Sequence, residues 1–248
     1  MQTAGNTVVI TGATSGIGLA FAEQFYQLGN KVIICGRRGD RLTEIENKYP
    51  GIVTYMCDLS IDEERQDFFK WVLLYYPGTN ILINNAGVQL TGDLTQPVDL
   101  KRVRAETELN FIAPIHLSSL FAQHLSTKPD AAIINISSGL AFVPIAFMPV
   151  YCATKAAIHS LTLSLRYQLR KTTVKVFELI PPSVDTELGH DRRADKTQTH
   201  GGMPIDEFIQ EAMEAIKNNL FEAPIAMAKT IKAKGEEMFE VINGRFAG

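Results

Sequence analysis

The chain has 248 residues, 46% of them hydrophobic and 21% charged, a balance that supports one large buried core and excludes a disordered chain. A formal charge of −3 without any Lys/Arg run excludes a nucleic-acid surface. No apolar run reaches the roughly 18 residues of a bilayer span, and no basic stretch leads into an apolar signal core, so a cytoplasmic protein with no membrane partner is expected.

Thr7 to Thr11 form an apolar, β-branched run that breaks at a glycine-rich turn and continues as a helix through Ile17, Phe21 and Phe25. Strand, turn and helix in that order offer an anion the free N–H groups and positive end of a helix. Gly12, Gly16 and Gly18 let the backbone turn tightly and approach a pyrophosphate, in a Gly-x3-Gly-x-Gly spacing that differs from the commoner Gly-x-Gly-x2-Gly. The second strand, Lys31 to Cys35, ends in Gly36, Arg37 and Arg38. An acid here would hold a ribose 2′-hydroxyl, whereas an arginine accommodates a 2′-phosphate. Arg37, supported by Arg38, therefore predicts NADP(H), with NAD(H) as the lesser cofactor.

A third strand, Ile52 to Cys57, ends in Asp58, either a hydrogen-bond acceptor for adenine or a helix N-cap. A helix from about Ile61 to Tyr75 follows, then a short buried strand, Ile81 to Ile83, running into Asn84, Asn85, Ala86 and Gly87. Two asparagines before small residues tie strand ends together and permit close backbone approach. A long helix is predicted from Asp99 to Ser126, interrupted at Asn110, a relay or kink residue.

The buried run AAIINIS precedes Ser138, whose hydroxyl then stands at the carboxyl end of a strand, where open α/β sheets bind ligands. Tyr151 and Lys155 are four apart, so in a helix their Cβ atoms are about 5–6 Å apart and the ammonium favours the phenolate. Tyr167 and Lys171 repeat that spacing, yet the residue thirteen before Tyr167 is Thr154, inside the same helix and unable to face it across a cleft. Ser138, Tyr151 and Lys155 are therefore the predicted chemical set. Between them Leu140, Phe142, Val143, Pro144, Ile145, Phe147 and Met148 form either an apolar substrate wall or loop core.

The helix through Leu161, Leu165 and Leu169 leads to a further strand, Val174 to Ile180. Pro181 to Thr186 then end regular structure where the sixth strand would meet a nicotinamide. The polar stretch Glu187 to Gly202 reads as a lid, whose His190, Arg192 and Arg193 offer an alternative receptor for an anionic substrate. Pro204 to Leu220 reads as an amphipathic helix, the lid region as a whole reaching from about 187 to 220. No element is predicted for the last 25 or so residues. Cys35, Cys57 and Cys152 are too scattered for a disulfide framework, and Cys152 beside Tyr151 is the one thiol considered for reactivity. His116, His124, His159, His190 and His200 show no ligand-spaced pair, so no metal is expected. Alternating strands and helices without a linker predict one α/β domain over 1–248: a doubly wound parallel sheet, Rossmann-like, in the dinucleotide-binding order.

TGATSGIG, the NNAG stretch, Asn110, Ser138 and YCATK, in this order and spacing, resemble the short-chain dehydrogenase/reductase family over nearly the whole chain to about Thr186. Within it, SGLAFVP, PVYCATKAA and PPSVDTEL are similar to the reductases encoded beside bacterial genes for D-alanine addition to teichoic acids. The resemblance implies that Gly12, Gly16 and Gly18, with Thr14, Ser15 and Ile17 of the same turn, hold the cofactor phosphates. It implies that Asp58 and Leu59 meet the adenine, that Asn85, Ala86 and Gly87 form the nucleotide-side loop, and that Pro181, Val184 and Thr186 approach the nicotinamide. It makes Asn110, Ser138, Tyr151 and Lys155 the catalytic set, with Tyr151 and Lys155 also touching cofactor. The implied activity is hydride transfer between the nicotinamide and a small-molecule carbonyl or secondary alcohol. A catalytically silent NADPH-binding regulator is the alternative. Pro181-Pro182 departs from the family's Pro-Gly, and MFEVINGRFAG lacks the glycine-rich terminal strand of tetrameric members, so a homodimer through the Asp99–Ser126 and Tyr151–Lys171 helices is expected over a tetramer.

Overall fold

The computed structural model describes residues 1–189 and 201–244. Strands β1 (Thr7–Thr11), β2 (Lys31–Gly36), β3 (Ile52–Met56), β4 (Ile81–Asn84), β5 (Ala132–Ile136), β6 (Lys175–Ile180) and β7 (Glu222–Pro224) form one sheet in the order 3-2-1-4-5-6-7, with every pairing parallel. The strands are nearly continuous hydrophobic runs because both faces are covered. Alternate side chains make two cores. Val8, Ile10, Val32, Ile34, Ile134 and Phe177 face α1 (Gly16–Gln27) and α7 (Ile205–Lys217). Val9, Ile33, Leu82, Ile133 and Val176 face α3 (Asp62–Tyr75) and α5 (Ala113–Leu125), with Leu165 of α6 (Pro149–Leu169). Between them in the chain, α2 (Gly39–Lys48) follows β2 and packs Leu42 and Ile45 on the first core.

Strand order reverses direction between β1 and β4, and the carboxyl ends of these strands carry the glycine turn and the NNAG loop. That is the crevice where open α/β sheets receive a ligand.

The Asp99–Ser126 stretch is interrupted at Asn110, as its sequence predicts: α4 (Leu100–Thr107) and α5 are joined by a π-helical turn, Glu108–Ile112, with Asn110 at its centre. One extra residue in the helical ladder turns the buried amide inward toward its partners. The stretch predicted as a lid is divided. Residues 190–200, which include His190, Arg192, Arg193 and His200, lie outside the described residues, while α7 buries Phe208, Ile209, Ala212, Met213 and Ile216 in the first core. Phe208 meets Phe21 of α1 edge-on at 6.3 Å. A helix held by that much apolar burial is scaffold, and its amphipathic pattern reflects the sheet rather than a moving cover. The described part of the C-terminal stretch, for which the sequence predicts no element, is regular: β7 extends the sheet, and α8 (Met227–Lys234), a 3-10 turn (Gly235–Met238) and α9 (Phe239–Asn243) pack Ile231 and Ile242 on Val143.

Candidate active site

The glycine turn is shaped by the loop beside it. A Cβ at Gly12, which has φ +64°, would stand 2.6 Å from Ala86 Cα, and one at Gly18 would stand 2.4 Å from Asn85 Nδ2 and 2.7 Å from Gly12 O. Thr11 joins the two segments: its hydroxyl donates to Ile83 O (3.2 Å) and accepts from the N–H groups of Asn85 (3.0 Å) and Ala86 (3.1 Å). Asn85 Nδ2 in turn donates to the carbonyls of Thr11 (2.9 Å) and Gly12 (3.2 Å). Sequence reading missed Thr11; a hydroxyl ending a buried strand just before a glycine turn was its only signal. Ser15, the N-cap of α1, makes no capping bond through its side chain, and the first turn of α1 holds no acid. The positive end of α1, which begins with Gly16 and Ile17, thus has no acid in its own first turn, with Glu187 hydrogen-bonded to Ser15 beside it, unlike that of α3, whose first turn carries Asp62, Glu63 and Glu64.

At the end of β2 the two arginines divide their roles. Arg38 lies across the glycine turn, with Nε and Nη2 donating to Thr14 Oγ1 (3.0 and 2.7 Å) and Nη2 also to Ser15 Oγ (2.5 Å). Its Nη1 donates to Glu187 (2.9 Å), and that bond holds the Glu187 carboxyl below its ordinary range. Arg37 is 57% exposed with Nη1 3.6 Å from Asp58 Oδ2. Burial pushes the Asp58 carboxyl up, but hydrogen bonds from Ser60 and the charge of Arg37 outweigh it and leave it lowered. Asp58 accepts from Ser60 N–H (2.9 Å) and Oγ–H (2.7 Å), and Ile61, not Asp58, caps α3. Leu59 is buried behind this corner.

Asn110 is a clamp. Its Oδ1 accepts from Val88 N–H (2.8 Å), and its Nδ2 donates to Val88 O (2.8 Å) and Thr154 Oγ1 (3.3 Å). Both amide hydrogens are therefore committed to protein, which fits the kink role expected of Asn110. A Cβ at Gly87 would crowd Asn110 Oδ1 at 3.2 Å.

Ser138 follows β5, is buried, and accepts from Leu140 N–H (3.1 Å), which starts the 3-10 turn Gly139–Ala141 packed on α6. Its own hydroxyl hydrogen has no acceptor among the described residues. Lys155 is buried; its Nζ donates to Ile136 O (2.9 Å) and lies 5.6 Å from the Tyr151 ring centroid. Burial alone lowers the Lys155 ammonium to about 8. Tyr151 is 6% exposed in a cluster with Met148 and Cys152, against which Leu140, Ile145 and Phe147 pack. The Cys152 thiol accepts from Ile145 N–H (3.4 Å), and burial raises its pKa, so it is an inert core group. Phe142 and Val143 belong with the C-terminal helices, which assigns them to loop core. Pro181 O accepts from Gly139 N–H (2.9 Å), Val184 is buried in a bridge to Met203, and Thr186 stands beside Gly16. Pro182 is half-buried.

Residues 6–197 match the sequence model of the family described as short chain dehydrogenase. The chain belongs to the short-chain dehydrogenase family. With it comes the reaction class, oxidation or reduction between CH–OH and C=O carbons. An oxidoreductase named DltE of Bacillus subtilis, itself described as uncharacterized, is 43% identical over 98% of this chain and 98% of its own. A short-chain dehydrogenase from Sphingobium yanoikuyae, solved with NADPH, is 27% identical with a TM-score of 0.80, covering 92% of this chain and 91% of that one. For the fold alone, a short-chain dehydrogenase from Burkholderia cenocepacia J2315 covers all of both chains at a TM-score of 0.83 and 24% identity. Among the described residues of this short-chain dehydrogenase no helix is long and apolar enough to cross a membrane.

Proposed function

We propose that this protein is an NADP(H)-dependent carbonyl reductase or alcohol dehydrogenase with Tyr151 as its general acid and base. NADP(H), when bound, supplies or accepts the hydride. Tyr151 exchanges the proton with the substrate oxygen, and Ser138, whose hydroxyl hydrogen is uncommitted, donates to that oxygen as charge develops. Lys155 stabilises the phenolate and meets the nicotinamide ribose. Asn110 has no side-chain hydrogen left, so its part in returning protons falls to a water held by its main-chain carbonyl. Gly12, Gly16, Gly18 and the open N-terminus of α1 receive the pyrophosphate, Asp58 the adenine, and Asn85 to Gly87 the nucleotide-side wall.

The observation that carries this reading is the burial of Lys155 beside Tyr151 with no carboxylate paired to it among the described residues: a buried ammonium without a counter-ion is costly unless a phenolate or a bound ligand uses it. Arg37 and Arg38 flank the site where a 2′-phosphate would lie, and the NADPH of the Sphingobium relative supports the same choice. Exposed Leu100, Ile112 and Leu163 on α4, the π turn and α6 support a homodimer, read by light scattering. NADPH and NADH are titrated by fluorescence and a panel of ketones and aldehydes is screened for cofactor oxidation. NADPH binding and turnover that vanishes in Tyr151→Phe are the expected results. Binding without turnover on the whole panel would leave the silent regulator, and tighter NADH binding would remove Arg37 from cofactor choice.

A further inference from the structure

His159 stands one helical turn beyond Lys155 on α6, and its Nδ1 lies 2.8 Å from Glu178 Oε2. Glu178 has no solvent exposure at all, and on the neighbouring parallel strand its register partner is Glu222 of β7. A ring nitrogen and two carboxylate oxygens from these three residues lie within 4.8 Å of one another. Two adjacent like charges on paired strands oppose folding unless something positive joins them.

The cations already present, Lys232 on Glu222 and Arg166 within electrostatic reach of Glu178, give no hydrogen bond to Glu178 Oε1. Lys232 of α8 pairs with Glu222 Oε1 and holds its ammonium 5.3 Å from the Phe142 ring. Arg166 is committed to the main-chain carbonyls of Val176 (2.9 Å) and Phe221 (2.7 Å). Glu178 Oε1 is out of reach of water and has no hydrogen-bond partner among the described residues. A fully buried carboxylate oxygen without a partner is rare and points to a group that completes it.

We propose that His159, Glu178 and Glu222 form a divalent-cation site, with Zn2+ the best fit, which ties α6, β6 and β7 together outside the hydride-transfer site. One imidazole nitrogen and two carboxylate oxygens are a zinc donor set, and the exposed side of the cluster leaves a fourth position to water. Zinc bonds of about 2.0–2.2 Å in a tetrahedron set the donors about 3.3–3.6 Å apart, so the 2.8 Å His159–Glu178 contact would open slightly as zinc enters, and His159 and Glu222, being half-buried, have the freedom to adjust. Lys232 is then the competitor that neutralises Glu222 when no metal is bound. Positions 159, 178 and 222 have no local spacing, so the absence of a ligand-spaced histidine pair in the sequence does not bear on this site.

The full chain, stripped with a chelator and free of cofactor and substrate, is titrated with ZnCl2 by calorimetry while thermal melting is followed in parallel. One equivalent should bind and raise the melting midpoint. His159→Ala and Glu222→Gln should each weaken binding by at least about tenfold, whereas Lys232→Gln should tighten it because the competing ammonium is gone. Co2+ at the site should give visible absorption bands that Zn2+ bleaches. No saturable binding, or a zinc affinity that is the same in wild type, His159→Ala and Lys232→Gln, would overturn the proposal. Lys232 lies on the surface of the cluster, so its variant carries the test if either ligand variant fails to fold.

Discussion

Helix α6 presents the same tetrad twice, and the two copies have opposite fates. Tyr151 and Lys155 are 6% exposed each, and the Lys155 ammonium lies over the Tyr151 ring and donates to the Ile136 carbonyl. Tyr167 is 67% exposed, and Lys171 falls in the turn past the end of the helix at Leu169. Tyr167 takes Arg170 over its ring at 3.7 Å instead. Identical spacing therefore gives a perturbed pair in one place and a solvated face in the other. What decides is the strand end opposite: β5 delivers Ser138 and the Ile136 carbonyl to the first pair, and nothing comparable reaches the second. Burial sets the two pairs apart, and spacing only permits the contact.

The sharpest way to break this contrast is to remove both phenols separately. Tyr151→Phe should lower turnover by about 10²- to 10⁴-fold, with NADPH binding retained, while Tyr167→Phe should leave turnover unchanged. Comparable losses in both variants, measured as initial rates at saturating cofactor, would end the assignment. The lysines should differ in stability. Burial depresses Lys155 from 10.5 to about 8, so between those pH values the folded protein binds fewer protons than the unfolded chain. Stability then rises with pH across that window, and below pH 8 the burden is complete. Lys155→Met should stabilise the cofactor-free protein at pH 7 by about 2–3 kcal/mol, after allowing for the lost bond to Ile136, and its advantage should shrink as pH rises from 8 toward 10.5. Denaturant midpoints at pH 7 and 10 check both signs, and a variant weaker than wild type at pH 7 would contradict the burden. Lys171→Met should move neither midpoint.

How much of this was legible in the sequence follows from the same distinction. The strands β1 to β6 are readable because long buried runs leave local marks, and the strand-end Ser138 and the buried Tyr151–Lys155 pair stand where those runs place them. The π turn left only one mark, Asn110, since an extra residue in a helical ladder changes hydrogen bonding without changing composition. β7 is three residues long and ends in Pro224, too short for a periodic signal, and exists because β6 offers it an edge. The lid was misread from Ile205 onward because the amphipathic pattern of a helix says that one face is covered and not by what. The Thr11 junction and the His159, Glu178 and Glu222 cluster are assembled from separate elements, and no window along the chain contains them.

The residues thirteen positions upstream extend the comparison. On the proposed role of its hydroxyl as a donor to the substrate oxygen, Ser138→Ala should cost activity, about 10²- to 10³-fold, with little change in melting. Thr154→Val should cost stability instead. Thr154 Oγ1 donates to Tyr151 O (2.7 Å) and accepts from Asn110 Nδ2, so valine strands a buried amide hydrogen, worth about 1–2 kcal/mol. The reverse pattern, with Thr154 governing rate and Ser138 governing melting, would exchange their roles.

The smallest effect belongs to the exposed copy. Tyr167→Leu removes the stacked contact with Arg170, whose Nη1 also donates to Tyr167 O at 2.6 Å and so keeps its place through the main chain. An exposed cation–π contact contributes about 0.5–1 kcal/mol, and leucine, a better helix former, returns a few tenths of that. The net change should lie within about 0.5 kcal/mol, with turnover and NADPH affinity unaltered. A loss above about 2 kcal/mol in a dilute monomeric sample would mean that this end of α6 has a partner within the chain; a loss seen only at concentrations where the protein is dimeric would place Tyr167 at the α6 interface, and the second tetrad would then be an assembly surface rather than a solvated face.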